Sequence, residues 1–389
     1  MTPPDRVYLD YNATAPLRPE AAQAIAQAMT LTGNPSSVHA AGRAARAVVE
    51  AAREAVAALV GGPASTVVFT SGGVEANALA IESAVAAGAR RLIISAIEHD
   101  CVHATARASG AVVEIWPVSG DGVVDLDWLC ARLARWDAAD GRPFVALMLA
   151  NNETGVIQPM VAAAEIVAAA GGWLHVDAVQ AAGKIVTDSR ALGADTLAVS
   201  AHKIGGPAGV GALTFGPRAT LTRRLHGGGQ ERGRRAGTEN VIGVAGFGAA
   251  VHAALRDLNA ADSQAANAQA AWRNAAAARL IETAGVRVFG EAAPRLDNTL
   301  CFAADDLPSE LQVMALDIEG VMVSAGAACS SGKVKASPVL TAMGQGALAS
   351  QALRVSGGWA TTEADWVRFT DVWLAVHARH QARRRVSAA

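Results

Sequence analysis

The sequence predicts an α/β protein whose larger domain is built on a mostly parallel sheet. Short apolar segments of strand length recur up to residue 215, and helix-forming segments lie between many of them. Several of these strands run into polar or glycine-rich turns, which is where open α/β sheets bind their ligands. The chain of 389 residues is too long for one ordinary hydrophobic core, so two domains are expected.

The predicted large domain spans residues 16–254, and the predicted small domain combines residues 1–15 with residues 255–389. An alanine-rich helix over residues 255–284 is expected to carry the chain from the large domain to the small one. Two short strands and a charged helix are predicted to follow it. This order of elements predicts an α+β arrangement for the small domain.

The composition limits which kinds of molecule the protein is expected to bind. Hydrophobic residues make up 51% of the chain and charged residues 17%, which is enough apolar material for a large buried core. A formal net charge of -2 argues against nucleic acids or other polyanions as partners. No apolar run is expected to reach the roughly 18 residues of a membrane helix, and residues 1–6 lack a signal-peptide pattern. We therefore predict a cytoplasmic protein with no membrane partner.

The four cysteines, Cys101, Cys130, Cys301 and Cys329, show no CxxC spacing, so no metal site built on cysteine is expected. They are predicted to be free thiols in a reducing compartment. Cys130 and Cys301 are expected to be small buried apolar side chains. Cys329 lies among glycines, serines and alanines instead, a composition typical of an accessible loop with a reactive thiol.

The most informative segment spans residues 200–207 and contains Lys203 in a glycine-rich turn. It follows a predicted strand at residues 195–199 and precedes another at residues 209–215. A lysine at such a strand end can be desolvated enough to act as a neutral amine, which an aldehyde cofactor requires of the lysine that bonds it. Since most loop lysines are simply solvated, this interpretation depends on a partner residue.

That partner is Asp177, at the carboxyl end of a predicted strand over residues 173–176. Enzymes that use pyridoxal phosphate (PLP) place an aspartate against the pyridine nitrogen, because the protonated ring is the better electron sink. An aspartate at one strand end and Lys203 at the next, in that chain order, therefore predict a PLP site.

With these residues the chain resembles the class V aminotransferase family, and within it the cysteine desulfurases of the NifS/IscS type, from Val7 to about Glu363. The resemblance implies the fold type I of PLP-dependent transferases, with a mostly parallel seven-stranded sheet in the large domain, and a homodimer. It also implies that L-cysteine is converted to L-alanine. The sulfur would be held on an enzyme cysteine as a persulfide and delivered to an acceptor such as an iron–sulfur cluster scaffold protein.

The resemblance implies how the cofactor phosphate is bound. Gly73 and Val74 open a helix after a predicted strand at residues 66–70, and their backbone N–H groups are implied to bind the phosphate. Relatives commonly carry a threonine where Val74 stands. Further phosphate contacts are implied for Ser200, His202 and Thr238. Of these, Thr238 is implied to reach the cofactor of the partner subunit, so the active form is expected to be a homodimer.

The resemblance also implies residues for the ring and the substrate. His99 is implied to stack on the pyridine ring and to shuttle protons. Gln180 is implied to donate to the phenolate oxygen of the ring, and Asn152 to lie near that oxygen and the substrate carboxylate. Arg354 matches the arginine that binds the substrate α-carboxylate. Asn12 belongs to an N-terminal segment beside the site and is implied to contact substrate.

Two residues are implied to carry the chemistry. Lys203 would bond the cofactor and move the Cα proton of the substrate. Cys329, in a long loop of the NifS/IscS kind, would attack the substrate sulfur as a thiolate. No metal is expected to take part.

Two alternatives stay open from the sequence. Another class V aminotransferase or PLP lyase would use Lys203 without Cys329. A degenerate homologue with an accessory role is suggested by Ala15, by Val74 and by the run Gly357-Gly358-Trp359, all of which depart from the family pattern. The last departure is expected to change the edge of the substrate pocket.

Overall fold

The computed structural model describes residues 6–261, 265–326 and 336–388. Its strands are β1 Val7–Tyr8, β2 Val67–Thr70, β3 Arg91–Ser95, β4 Val112–Trp116, β5 Phe144–Met148, β6 Trp173–Asp177, β7 Thr196–Ser200, β8 Gly211–Phe215, β9 Arg287–Val288, β10 Thr299–Ala303, β11 Val321–Met322, β12 Ser324–Ala325 and β13 Ala352–Ser356. Its helices are α1 Pro19–Ala28, α2 Ala40–Leu59, α3 Gly73–Ala86, α4 Asp100–Ala108, α5 Leu126–Leu133, α6 Met160–Ala169, α7 Val241–Ala261, α8 Ala265–Ala284, α9 Ser309–Ile318, α10 Pro338–Ala342 and α11 Glu363–Ala388.

The larger sheet has seven strands in the order β2-β8-β7-β6-β5-β3-β4. The pairs β3–β4, β3–β5, β5–β6 and β6–β7 are parallel, whereas β8 runs antiparallel to both of its neighbours. Strands β5, β6 and β7 are buried along their whole length, as expected for a parallel sheet covered on both faces. The predicted α/β class with a mostly parallel seven-stranded sheet is confirmed.

The C-terminal part of the chain forms a separate four-stranded antiparallel sheet in the order β12-β13-β10-β9. Aromatic side chains from β10 and α11 form its core, with Trp373 packed edge-on against Phe302. The N-terminal strand β1 pairs in parallel with β11, so the N-terminal segment joins the C-terminal part of the chain. The predicted domain boundary at residues 254/255 falls inside α7 and stays a prediction.

Helix α7 differs from the sequence expectation about apolar runs. Residues 241–260 reach a mean hydropathy of 1.3, so by length and composition alone this helix is able to cross a membrane. Half of that stretch is buried within the protein, where Phe247 and Val251 pack into the main core beside α2. The expectation that no such run exists was wrong, because an interior helix passes the same test.

Two cysteines, Cys130 and Cys301, were predicted to be buried, and the structure confirms this for only one of them. Cys301 lies on β10 and is completely buried, as predicted. Cys130 is exposed, which contradicts the prediction. Its helix α5 buries Leu129 and Leu133, which lie one turn apart, and Cys130 projects from a different face.

Candidate active site

A cavity of about 570 Å³ opens at the carboxyl ends of the central strands. Strands β5, β6 and β7 deliver their last residues, Met148, Asp177 and Ser200, to its wall. Eleven of the sequence-predicted site residues line it: Asn12, Gly73, Val74, His99, Asn152, Asp177, Gln180, Ser200, His202, Lys203 and Arg354. Thr238 is exposed and does not line this cavity, and Cys329 lies outside the described residues.

Lys203 ends a short turn of 3-10 helix that follows β7. Its Nζ donates hydrogen bonds to the backbone oxygens of Asn12 at 2.6 Å and Ala13 at 2.8 Å. Burial, and then the positive charge of Arg354, lower the pKa of Lys203 to about 8. Its amine therefore loses its proton more readily than an exposed lysine, as bond formation with an aldehyde requires.

The Asp177 carboxylate is held by two uncharged N–H groups. Oδ2 accepts a hydrogen bond from Nδ2 of Asn77 at 2.7 Å, and Oδ1 accepts one from the backbone N–H of Val179 at 2.9 Å. Only 5% of Asp177 is exposed, yet it lines the cavity. The hydrogen bonds that fix the carboxylate thus come from neutral groups, which suits a group that faces a protonated ring nitrogen.

The N-terminus of α3 lies beside the end of β7. A Cβ atom on Gly73 would lie 2.8 Å from Val179 and 3.6 Å from the Cβ of Ser200, so the approach requires a glycine. The first N–H groups of a helix have no acceptor within it and favour anions. Burial and nearby Lys203 lower the pKa of His202 to about 4, so this imidazole is neutral near pH 7. A phosphate fits here because three kinds of hydrogen-bond donor are available to it: the first N–H groups of α3, the Ser200 hydroxyl and the His202 imidazole.

His99 caps helix α4 and is exposed to the cavity. Its Nδ1 accepts a hydrogen bond from the backbone N–H of Cys101 at 3.2 Å. Because a backbone N–H only donates, the neutral ring carries its proton on Nε2. The Sγ of Cys101 lies 3.0 Å from the same Nδ1, so this thiol is a neighbour of the site that the sequence did not single out.

Arg354 projects from β13 of the smaller sheet and is almost fully buried. One terminal nitrogen pairs with Oδ1 of Asp10 at 2.8 Å, and the other donates to the backbone oxygen of Asn152 at 3.1 Å. Its Nε has no hydrogen-bond partner within the described part of the chain. The guanidinium of a residue that lines the cavity fits a carboxylate ligand.

Comparison with known proteins places this geometry in a family. The family model Aminotransferase class-V matches residues 7–369. A cysteine desulfurase of Cereibacter sphaeroides is 41% identical over 384 residues, which covers 95% of each chain. The chain belongs to the cysteine desulfurases of this family. The resemblance to that group, inferred from the sequence, is confirmed.

Solved structures agree with this membership of the cysteine desulfurase family. A NifS-like protein from Rickettsia africae ESF-5 superposes with a TM-score of 0.87 at 29% identity, covering 96% of this chain and 99% of the other. A structure described as SspA in complex with cysteine superposes with a TM-score of 0.75 at 26% identity, covering 90% and 98% of the two chains. The predicted fold type I is therefore confirmed.

In this desulfurase-family chain, the side chain of Asn12 joins several parts of the structure. Its Nδ2 donates to Thr299 Oγ1 at 2.9 Å and to the Asn152 backbone oxygen at 3.2 Å. Its Oδ1 accepts from Lys184 at 2.9 Å and from Asn298 at 3.3 Å. Both N–H bonds and both lone pairs of the amide are engaged within the protein. Asn12 lines the cavity, but its side chain keeps no spare group for a substrate.

Glu98 was also missed by the sequence analysis. Its Oε1 accepts a hydrogen bond from the backbone N–H of Met148 at 2.6 Å, and its Oε2 has no partner among the described residues. Burial, and then the negative charge of Asp177, raise the pKa of Glu98 to about 8. A neutral carboxylic acid therefore adjoins the Asp177 carboxylate at the cavity wall. The only sequence signal was its place directly before His99.

Glu153 contacts described residues on both sides of residues 327–335, which contain Cys329. The Ser337 hydroxyl, which also caps α10, donates to Oε2 of Glu153 at 2.5 Å. On the other side, a Cβ atom on Gly326 would lie 2.7 Å from the same oxygen. The buried carboxyl thus contacts the described residues that flank the cysteine segment.

The departure at Gly357-Gly358-Trp359 does not alter the edge of the cavity, which corrects the sequence expectation. Trp359 covers the guanidinium of Arg18 at 5.2 Å and is absent from the cavity lining. A Cβ atom on Gly358 would lie 2.0 Å from the Tyr11 ring. The departure shapes the contact with the N-terminal segment, because these residues lie behind the site rather than in it.

Proposed function

We propose that the protein acts as a PLP-dependent cysteine desulfurase, converting L-cysteine to L-alanine and retaining the sulfur on Cys329 as a persulfide. One observation carries this proposal: Lys203, Asp177 and Arg354 converge on one cavity. Family relatives named as cysteine desulfurases and a structural neighbour described in complex with cysteine support the choice of substrate.

The donor set fits a pyridoxal phosphate. Lys203 offers an amine with a lowered pKa for the aldehyde, and Asp177 offers a carboxylate for the ring nitrogen. The phosphate would contact the N-terminus of α3, Ser200 and His202. The ring oxygen would contact Gln180. When bound, the cofactor supplies an electron sink that acidifies the substrate Cα–H and weakens its Cβ–S bond.

The residues of the chain have separate tasks around the substrate. Arg354, which lines the cavity, binds the α-carboxylate through its guanidinium and thereby orients the substrate. Lys203 takes the proton from Cα on its amine and returns it, because its pKa of about 8 allows both protonation states near neutral pH. His99 presents its Nε2 N–H to the cavity and holds a proton there.

The sulfur step needs no external oxidant. The Cys329 thiolate attacks the sulfur of the substrate, an S–S bond forms, the Cβ–S bond breaks and Cβ gains a proton. Cysteine and one enzyme thiol thus become alanine and one enzyme persulfide. The role of Cys329 is inferred from its sequence context alone.

The test is alanine release from L-cysteine by purified protein loaded with PLP, compared with Cys329→Ala and Lys203→Ala. We expect alanine from the unmodified protein and none above background from either variant, with a cysteine-bound persulfide detected by mass spectrometry. Alanine from Cys329→Ala would instead support another PLP lyase. A cofactor-loaded protein that forms no alanine would support an accessory role.

We further propose a homodimer in the cytoplasm that passes its sulfur to an acceptor such as an iron–sulfur scaffold protein. Thr238 supports the homodimer, because it is exposed and does not line the cavity of its own chain. In a dimer, Thr238→Ala should weaken PLP binding while light scattering still gives the mass of two chains. A monomeric mass for the active protein would contradict this part of the proposal.

A further inference from the structure

A line of buried side chains connects the interior of the large sheet to Asp177. The Trp173 indole N–H donates to Thr196 Oγ1 at 2.9 Å, and that oxygen lies 3.0 Å from Nδ1 of His175. Nε2 of His175 lies 2.9 Å from Oδ1 of Asn77, whose Nδ2 donates to Asp177 at 2.7 Å. All five residues are at most 5% exposed. We call this line the Asn77 relay.

The direction of every hydrogen bond in the relay is determined from the Asp177 end. An ionised carboxylate only accepts, so the Asn77 amide must turn its N–H toward Asp177 and its oxygen toward His175. His175 must then carry its proton on Nε2. Burial lowers the pKa of His175 to about 3, so the ring stays neutral and its Nδ1 is an acceptor.

The far end of the relay is compatible with the same directions. The indole N–H of Trp173 has no acceptor capacity, so it donates to the oxygen of Thr196. The Thr196 hydroxyl keeps its own proton, which it donates to Nδ1 of His175 when the ring is protonated on Nε2. The ring of His175 is also held by Phe144, which stacks against it at 6.1 Å and 18°. The Asp177 end therefore sets the tautomer, and the Thr196 hydroxyl stabilises it.

We propose that His175 and Thr196 are positioning residues for the cofactor: they favour the orientation of the Asn77 amide in which its N–H faces Asp177 and holds the carboxylate at the cavity wall. Without the Thr196 hydroxyl, Nδ1 of His175 loses its hydrogen-bond donor, and the ring protonated on Nε2 loses that stabilisation. The population of ring protonated on Nδ1 then rises, and in that tautomer the Asn77 amide would turn its oxygen toward Asp177 and repel the carboxylate. This inference deepens the proposed function, because it rests on Asp177 facing the cofactor ring.

The relay suits a site where a negative charge must persist beside other titratable groups. Glu98, whose pKa is raised to about 8, lines the same cavity as Asp177, together with Lys203 and Cys101. A charged partner such as arginine would compete with the ring nitrogen for the carboxylate. The neutral amide of Asn77, which is oriented by its hydrogen bond with His175, donates a hydrogen bond to Asp177 without competing for the ring nitrogen.

The test compares Thr196→Val with Thr214→Val, which removes a buried threonine hydroxyl from the neighbouring strand β8. We expect Thr196→Val to raise the dissociation constant for PLP roughly 10-fold and to lower kcat by a similar factor, with KM for cysteine nearly unchanged. Thr214→Val should leave all three values unchanged. Thr196→Ser, which restores a hydroxyl, should recover most of the loss.

A second readout needs no activity. Nitrogen-15 NMR of the cofactor-free protein labelled in histidine should show His175 protonated on Nε2, with Nδ1-protonated ring appearing in Thr196→Val. If Thr196→Val fails to fold, His175→Phe keeps a ring against Phe144 and removes both nitrogens, and the same loss of PLP affinity is expected.

Three results would overturn the inference. One is an Nδ1 proton on His175 in the unmodified protein, and another is wild-type PLP affinity in folded Thr196→Val and His175→Phe. The third is an equal loss in Thr214→Val, which would show general weakening of the sheet. If the unmodified protein forms no alanine, that result contradicts the proposed function and not the Asn77 relay. The NMR and PLP-affinity measurements still test the relay in that case.

Discussion

The ammonium nitrogen of Lys184 lies 2.8 Å from Oε1 of Gln180, four residues earlier in the chain. The same nitrogen donates to Oδ1 of Asn12 at 2.9 Å, although Lys184 itself does not line the cavity. Burial, and then the positive charge of Lys203, lower the pKa of Lys184 to about 7, and its protonated form only donates. The Gln180 amide therefore presents its oxygen to Lys184, and its Nε2 donates to the backbone oxygen of Asn12 at 2.8 Å. Lys184 and the Asn12 carbonyl together orient Gln180 at the site.

Lys184→Met is expected to weaken PLP binding roughly fivefold, because the Gln180 amide becomes free to rotate and an N–H donor is lost. Equilibrium titration of the cofactor-free protein measures this change. Arg190→Met removes an exposed cation from the same segment and serves as the control. Equal affinities for Lys184→Met and the unmodified protein would show that Gln180 is oriented by other contacts.

Glu98 is expected to make stability depend on pH. Its folded pKa is raised from 4.5 to about 8, so the folded state binds the proton more tightly than the unfolded state. The stability that this group contributes is complete below about pH 4.5 and is lost as the pH rises toward about 8. Glu98→Gln removes that dependence, because an amide does not ionise.

The measurement is urea unfolding of cofactor-free protein at about pH 5.5 and about pH 7.5. Relative to the unmodified protein, Glu98→Gln should gain up to about 2 kcal/mol in free energy of unfolding between the two pH values. Glu165→Gln, at an exposed carboxylate, should gain nothing. A constant difference between Glu98→Gln and the unmodified protein would mean that Glu98 is ionised throughout.

Arg354→Lys is expected to raise KM for L-cysteine by about 10-fold or more. A lysine ammonium cannot pair with Asp10, bond the Asn152 backbone and still present a planar N–H to a carboxylate. Steady-state kinetics with a check of PLP absorbance gives the result. Arg18→Lys changes a buried arginine outside the cavity lining and should leave KM unaltered.

Val74→Thr is expected to tighten PLP binding roughly threefold, because it adds a hydroxyl donor to the first turn of α3. Val74 is 59% exposed, so the change should not disturb the core. The matched control is Val161→Thr, at the second residue of α6 and 53% exposed, where no effect on affinity is expected. Unchanged affinity in Val74→Thr would mean that the phosphate contacts lie elsewhere.

The parts of the site that the sequence predicted share a local signature. Asp177 and Lys203 each follow an apolar strand, and parallel strands bring their carboxyl ends to one edge, so neither prediction needed long-range contacts. Asn77 and Lys184 carry no such signature, because each acts through a residue from another element. A polar residue within a helix or turn is usually solvated, and only the packing of α3 against β6 shows otherwise for Asn77.

The fold predictions failed where burial depends on the neighbours of a helix. The length of the apolar run in α7 was underestimated. Cys130 was expected to be buried, but its helix α5 packs Leu129 and Leu133 against the core instead. The sequence analysis expected Gly357-Gly358-Trp359 to change the edge of the substrate pocket, because these residues follow Arg354 closely in the chain. Strand β13 ends at Ser356, and the chain then turns toward the N-terminal segment.

The position of Asn12 has a consequence for biosynthesis. Its side chain bonds Thr299, 287 residues later in the chain, and its backbone N–H bonds the hydroxyl of Ser356, 344 residues later. A nascent chain on the ribosome therefore completes the large sheet long before this wall of the cavity exists. At roughly 5–20 residues per second, the interval lasts many seconds. This wall of the cavity is thus complete only after residue 356 has been synthesised, and a product truncated before that residue lacks the contacts that hold Asn12.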